Sequence, residues 1–425
     1  MKVDAESPVL PLSMWFFASL LAFTAIYWVL WMVYTRTIHP LASIPGPFWA
    51  SVSRIWYMYR VYVGDMHIVQ RRLHERHGPV IRIAPNEVST SNPSAIQKIY
   101  KHQAPLNKTD FYWPWGGGEI SKQHKPLFVE TDEKLHSNYR RVVSPVYTTT
   151  NVLKSESYIN KVSELFVKRL GEHADRKEAI DLGTWLQMYA FDVIGEIFFG
   201  TVFKAVRAVD GIRKAAITAT NKRIQDMKKG GASQKDILLQ LLNIVREKGE
   251  KANFGTSEAT LEAYTAMFAG SDTTAIAFRA TFYYLMKNPE TLKQVHEEID
   301  AAFAAGTLSS PIKYSETTTK LPYVCAAIKE AMRMHPSVGL SMPRHAPKEG
   351  IVLAGKLIPG GYRVGMNPAV VHYDEEIFGQ DAEQYRPQRW MEGEEKRKTM
   401  DKHLLIFGAG TRTCIGKNVS VTLLK

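Results

Sequence analysis

Cysteine is scarce in this chain of 425 residues, which holds only Cys325 and Cys414. That scarcity excludes a disulfide framework and any C-x-x-C metal pair, and it fits a reducing compartment. Blocks of like charge are missing too. The formal net charge of +12 comes from scattered lysines and arginines with no nucleic-acid motif beside them, so it speaks for an acidic partner or an anionic membrane and not for DNA or RNA. Residues 7–35 carry no charged side chain, and residues 257–287 no proline. The second absence leaves a long stretch free to run as one helix. What the chain does have is apolar content, 45% of its residues, ample for a large core.

The uncharged N-terminal run includes M-W-F-F-A-S-L-L-A-F-T-A-I-Y-W-V-L-W-M-V-Y at residues 14–34. About 21 residues at roughly 1.5 Å each cross a hydrocarbon core of roughly 30 Å. A cleaved signal peptide competes with this reading, but the run is long for one and lacks an A-x-A-like site after it. Arg36, Arg54 and Arg60 follow the span while Lys2, Asp4 and Glu6 nearly cancel before it, so the positive-inside bias puts the body in the cytosol. H-P-L-A-S-I-P-G-P at residues 39–47 then reads as a stiff bent linker.

Further on, residues 54–76 have helical apolar spacing, stopped by His77-Gly78-Pro79, and V-I-R-I-A-P-N-E-V-S (residues 80–89) alternates as a strand pair around Pro-Asn. The aromatic loop F-Y-W-P-W-G-G-G at residues 111–118 reads as a packed surface loop or as a channel wall. Residues 132–143 form a helix with His136 and Arg140 on one face. Residues 180–200 form an apolar packing helix. Between 201 and 254 the chain turns basic and polar, with an amphipathic segment near 212–227, a break at 228–231 and a short helix from Asp236.

Residues 257–287 read as one helix of roughly 46 Å, ended by Asn288-Pro289, with A-G-S-D-T-T (269–274) at its centre. A threonine there can bond its own i−4 carbonyl and an aspartate can face solvent; otherwise an acid amid apolar residues is costly unless it has work to do. Residues 321–334 form the next helix, in which Glu330 and Arg333 share a face, and Y-R-P-Q-R-W follows at 385–390.

Cys414 lies in F-G-A-G-T-R-T-C-I-G, residues 407–416. A free cysteine is ordinarily a small buried hydrophobe, and Cys325 beside Val324, Ala326 and Ala327 reads that way. Cys414 differs because Gly408, Gly410 and Gly416 frame it. Glycines admit positive φ and close backbone approach, so backbone N–H groups can point at the sulfur and favour thiolate.

On Phe407, Gly410, Arg412, Cys414 and Gly416 the chain resembles the cytochrome P450 superfamily, whose haem-ligand loop is F-x-x-G-x-R-x-C-x-G. The resemblance covers about residues 40–425 and is similar in detail to fungal microsomal, pisatin demethylase-like members. It implies a mainly α fold with a small β region (α+β) behind a single transmembrane helix: an anchor at 1–36, a proline-rich hinge at 37–50 and a haem-thiolate monooxygenase domain at 51–425. By the same resemblance, Cys414 is the axial ligand of haem b, and Asp272 and Thr273 relay protons for O–O cleavage. Ala269 and Gly270 line the oxygen groove, and His136, Arg140, Arg344 and Arg412 face the propionates. Glu330, Arg333 and Arg389 form a buried structural triad, with Gln388 where the family has an acid.

The implied activity is oxidation of a lipophilic small molecule by O2, in fungal secondary metabolism, at the endoplasmic reticulum membrane. Electrons come from NADPH through a cytochrome reductase, with cytochrome b5 as an alternative donor. Lys134, Arg141, Lys402 and Lys417 are candidates for the reductase surface, with solvated charge as the plainer reading of each. Against the family pattern, the interval at 201–256 is short for a roof over the substrate, and the chain stops at Lys425 before the expected C-terminal hairpin. A truncated, non-catalytic haem protein is therefore an alternative, as is a haem-thiolate isomerase or dehydratase.

Overall fold

The computed structural model describes residues 12–116, 125–200, 209–229 and 236–425. Lys2, Asp4 and Glu6, the end of the aromatic loop at 117–118, positions 230–231 of the basic interval's break and its residues 201–208 lie outside the described residues. Two compact units result, one of residues 1–90 with 346–365, the other of 91–345 with 366–425.

The smaller unit begins with α1 (Leu12–Thr37), whose apolar side chains from Met14 to Leu30 are exposed. Short α2 (Phe48–Val52) is tied to it where Trp31 Nε1 donates to the Val52 carbonyl at 2.9 Å. The helix expected over 54–76 is two, α3 (Ile55–Val63) and α4 (Met66–His77). Gly64 separates them: at φ +81° it turns left-handed and returns its N–H to the Arg60 and Val61 carbonyls, a C-terminal stop that glycine adopts without strain.

Strands β1 (Val80–Ala84) and β2 (Glu87–Thr90) pair antiparallel. A hairpin of β3 (Ile351–Leu353) and β4 (Lys356–Ile358) follows later in the chain, then β5 (Arg363–Gly365), which joins β2 in parallel. Every residue of β1 is buried, so its alternation does not mark a wet face. Arg82 in its middle is 1% exposed, and its guanidinium donates to the carbonyls of Thr35 (2.8 Å) and Pro85 (2.7 Å). Burial lowers its pKa to about 10, and the carbonyls, one from the last turn of α1, take the place of a counter-ion.

The larger unit is helical. Its longer helices are α5 (Glu133–Val143), α6 (Glu156–Asp175), α7 (Leu182–Phe199), α8 (Val209–Lys228), α9 (Ile237–Ala252), α10 (Thr256–Lys287), α11 (Pro289–Ala304), α12 (Tyr314–Lys320), α13 (Pro322–Met334), α14 (Glu394–His403) and α15 (Lys417–Leu424). Asp132 caps α5 by accepting the Leu135 N–H at 2.8 Å, and Asp236 caps α9 in the same way. The short helix expected at 236 runs on to Ala252, ending only where Asn253 takes the left-handed conformation.

Helix α10 spans 32 residues, about 48 Å, and is the axis of the main core. Val193, Ile194, Ile197 and Phe198 of α7 and Leu238, Leu241 and Leu242 of α9 join its Leu261, Tyr264 and Met267 in one cluster. At about 25 cal/mol per Å² of apolar area, each large side chain buried there contributes roughly 1.5–3 kcal/mol. Gly270 permits the close approach of α7, since a Cβ there would lie 3.1 Å from Ile194 Cδ1.

Candidate functional site

Cys414 is presented by a loop held at both ends. Its N–H donates to the Phe407 carbonyl at 2.8 Å, and Gly408 and Gly410 both sit at φ +67°. A Cβ on Gly410 would lie 2.2 Å from the Tyr100 carbonyl oxygen, so no other residue fits there without moving backbone. The sulfur is exposed on one side, yet enclosure by protein pushes its thiol pKa up. Backbone N–H groups of Gly416 and Lys417 and the charge of Arg140 oppose that rise. A sulfur that is open on one side but desolvated, with N–H donors behind it, is placed to give its charge to a metal.

Beside the loop lies a group of buried cations. Arg412, its side chain 3% exposed, pairs with Glu133 on α5 at 2.6 Å and donates from Nη1 to the Glu130 carbonyl at 2.7 Å. Arg344 donates to the Tyr112 hydroxyl at 2.8 Å. Lys108, joined to Arg344 by a backbone bridge, donates to the Phe128 carbonyl at 2.5 Å, and its ammonium sits 4.0 Å from the Tyr112 ring centroid. His136 is buried and Arg140 half-buried on the same face of α5.

The electrostatics of this group run one way. Burial, then Arg344, Arg412 and Arg140, push the Lys108 pKa well down, with Glu133 the one carboxylate in opposition. Burial followed by Arg412, Arg140, Lys108 and Arg344 drives His136 to about 2, so its ring is neutral. Its Nδ1 is buried without a hydrogen-bond partner among the described residues. Concentrated positive charge and an unmatched imidazole nitrogen fit a bound dianion next to the sulfur, and the propionate edge of a haem has that charge and size. The residues present therefore fit a haem.

On α10, Ala269, Asp272 and Thr273 share one face, as i, i+3 and i+4 positions do. Ala269 and Asp272 are exposed, Thr273 is half-buried, and its Oγ1 donates to the Ala269 carbonyl at 2.8 Å. Gly270 is turned away from them toward Ile194, where it serves helix packing. Ser337 Oγ donates to the Thr273 carbonyl at 2.7 Å, tying this part of the helix to the end of α13.

The triad residues come together as one closed network. Glu330 accepts from Arg333 Nε (2.9 Å) and Nη2 (2.8 Å), Arg389 Nε (2.8 Å), Trp390 Nε1 (2.8 Å) and the Arg386 N–H (3.2 Å). Arg389 also pairs with Asp381 at 2.9 Å, and Arg333 donates to the His372 carbonyl at 2.6 Å. Gln388 stands outside this set, donating to the Tyr323 hydroxyl at 3.0 Å.

Sequence reasoning passed over three participants. His372 is fully buried: its Nε2 accepts the Leu405 N–H at 2.8 Å, which fixes the proton on Nδ1, donated to the Arg333 carbonyl at 2.9 Å. It joins the triad to the strand of chain entering the cysteine loop. Lys108 precedes the aromatic run that the sequence offers as a channel wall, and Tyr112 in that run is buried as the acceptor for Arg344. Of its described residues, Trp113, Pro114 and Trp115 are exposed. A lone V-H-Y or K-T-D carries no signal that could have marked these positions.

The family model for Cytochrome P450 matches residues 45–210 and 201–425. The chain is similar to the cytochrome P450 monooxygenase gsfF of Penicillium aethiopicum, 42% identical over 93% of this chain and 88% of the relative. It is 36% identical to the cytochrome P450 monooxygenase cicH of Emericella nidulans (89% of this chain, 85% of the relative) and 32% identical to a pisatin demethylase of Fusarium vanettenii (93% and 83%).

Proposed function

Because this chain belongs to the cytochrome P450 family and is a monooxygenase of that family, we propose that it oxidises a lipophilic small molecule of fungal secondary metabolism with Cys414 as the haem ligand. The observation that carries the reading is the accessible, desolvated Cys414 sulfur with the N–H groups of Gly416 and Lys417 directed at it, next to a surplus of buried cations. Haem b bound there would supply dioxygen activation, driven by electrons from a reductase that draws on NADPH.

The chain's own residues do the rest. Cys414 would hold the haem through its sulfur, and Phe407, Gly410 and Gly416 shape the loop that presents it. His136, Arg140, Arg344 and Arg412, joined by Lys108, orient the propionates. On α10, Ala269 would leave room for dioxygen, Thr273 would hold a proton at Oγ1, and Asp272 would exchange protons with water through its carboxylate. Glu330, Arg333 and Arg389 act at a distance, through His372, by fixing Leu405 and the loop behind it.

The anchor reading draws on α1, whose segment Met14–Thr37 is long and apolar enough to cross a bilayer, and on exposed Ile55, Met58, Tyr59 and Tyr62 of α3 in the same unit. A single-pass protein of the endoplasmic reticulum with a cytosolic body follows from the arginines after the span. In microsomes, alkaline carbonate should leave the protein in the membrane and protease should digest its body from outside.

Activity is tested with the full haem-loaded chain, a fungal NADPH reductase and isotope-labelled dioxygen, against lipophilic small molecules that perturb the Soret band on binding. One labelled oxygen atom transferred per substrate molecule is expected. Label-free turnover of the same compounds would favour an isomerase or dehydratase, and binding without turnover a non-catalytic haem protein.

A further inference from the structure

Glu262 is a carboxyl with no part in the chemistry described so far. It lies on α10 between Leu261 and Ala263 of the main core and is 3% exposed. The Tyr147 hydroxyl donates to its Oε1 at 3.3 Å, while Oε2 carries no hydrogen bond among the described residues. The charged and titratable groups facing it are Tyr139 and Arg140 from α5, Tyr147 from the turn Ser144–Tyr147, and, beyond Tyr139, Glu258 from its own helix. From α7 and α9 come apolar side chains, Phe198 against the Tyr147 ring and Leu238, Leu241 and Leu242 in the same cluster. A carboxylate so enclosed, with the Tyr139 and Tyr147 hydroxyls as its nearest polar company, is poorly solvated when charged.

The same small group touches the environment of the proposed iron ligand. Arg140 feels the charges of both Cys414 and Glu262. Tyr147 is likewise within reach of both, and its carbonyl accepts from Asn418 Nδ2 at 2.8 Å, at the start of the helix that follows Cys414. Negative charge added at Cys414 therefore competes with Glu262 for Arg140 and makes the ionised carboxyl costlier.

We propose that Glu262 takes up one proton from solvent as one electron from the reductase enters the haem held by Cys414, so that the net buried charge on this side is unchanged. The reductase loses the electron, the iron gains it, and the proton joins a carboxylate oxygen of Glu262. The half-buried Tyr139, whose hydroxyl donates to the Glu258 carbonyl at 3.4 Å and stands near enough to favour the ionised Glu262, gives the carboxyl an edge toward the outside. Burial raises the Glu262 pKa to about 7, against the lowering effects of Tyr139, Tyr147 and Arg140, which puts the exchange at neutral pH. The coupling is reciprocal: protonating Glu262 first makes the electron easier to add.

This rests on Cys414 being the haem ligand, so the first measurement is the CO spectrum of the reduced full-length holoprotein. The second is its midpoint potential from about pH 6 to about pH 8, the range around neutrality where a carboxyl so shifted titrates. The reduction equilibrium should weaken with rising pH by up to tenfold per unit, about 59 mV for one proton per electron. Glu262→Gln should flatten that slope. Tyr147→Phe, which removes a donor to the ionised form, should keep it but move it to higher pH. A thiolate-type CO spectrum with a flat wild-type potential, or with equal slopes in wild type and Glu262→Gln, overturns the proton uptake alone. If the glutamine variant fails to hold haem, an unshifted window in Tyr147→Phe overturns it. A CO spectrum of another type overturns the ligand assignment and this inference with it.

Discussion

Two buried charge clusters stand in the larger unit, and they are built on opposite plans. Around Glu330, five donors meet one carboxylate, Asp381 supplies a second, and Glu330, Arg333 and Arg389 have fully buried side chains. Around Arg412, the cations Lys108, Arg140 and Arg344 gather with Glu133 as the paired carboxylate, and a buried imidazole nitrogen is left over. The first cluster is complete as folded and can only be spoiled. The second is in electrostatic debt until an anion arrives, which is how a binding site differs from a brace.

The contrast is most easily broken at the brace. Glu330→Gln would leave Arg333 and Arg389 buried against a neutral amide, a loss of about 3–5 kcal/mol, and urea midpoints should fall alike with and without haem. Gly410→Ala should spare overall helicity but weaken haem retention by an order of magnitude or more, because its Cβ would overlap the Tyr100 carbonyl, 2.2 Å away. Lys108→Met sharpens the comparison from the other side. It removes a repulsive cation, so the haem-free urea midpoint should hold or rise, while haem dissociates about tenfold faster, some 1.4 kcal/mol. A fall in the haem-free midpoint comparable to that of Glu330→Gln would erase the distinction between the clusters.

A pH-dependent effect is expected at His372. Its folded pKa is lowered to about 3, chiefly by burial, whereas an unfolded histidine titrates near 6.5. The unfolded state therefore binds the proton first, and stability should decline as pH falls from about 6.5 toward 3. His372→Gln should cost about 1–3 kcal/mol at neutral pH through its two hydrogen bonds and should flatten this acid slope, read from urea midpoints across the range.

The two plans also differ in how far the sequence revealed them. Glu330, Arg333 and Arg389 could be grouped only through the family resemblance of E-x-x-R and the later Y-R-P-Q-R-W, whereas Cys414 stood out because glycines surround it. Helix α10 was legible from its proline-free length. The partners that decide energetics were not: Glu133 on Arg412, Tyr112 under Arg344 and His372 between Arg333 and Leu405 meet only in the fold. Strand alternation likewise hid the buried Arg82, whose partners are carbonyls, the distant one that of Thr35 and the near one that of Pro85. Gly270 shows the limit of a motif read as a string, since neighbours on a helix point about 100° apart and it packs on Ile194 while Ala269 is exposed.

The central claim is that the sulfur of Cys414, backed by the cation cluster, is the ligand of a haem. Reducing the full-length holoprotein under CO tests it most directly. A red-shifted, thiolate-type Soret band that disappears in Cys414→Ala is the predicted result; a histidine-type band, or a shifted band that survives in Cys414→Ala, would contradict it.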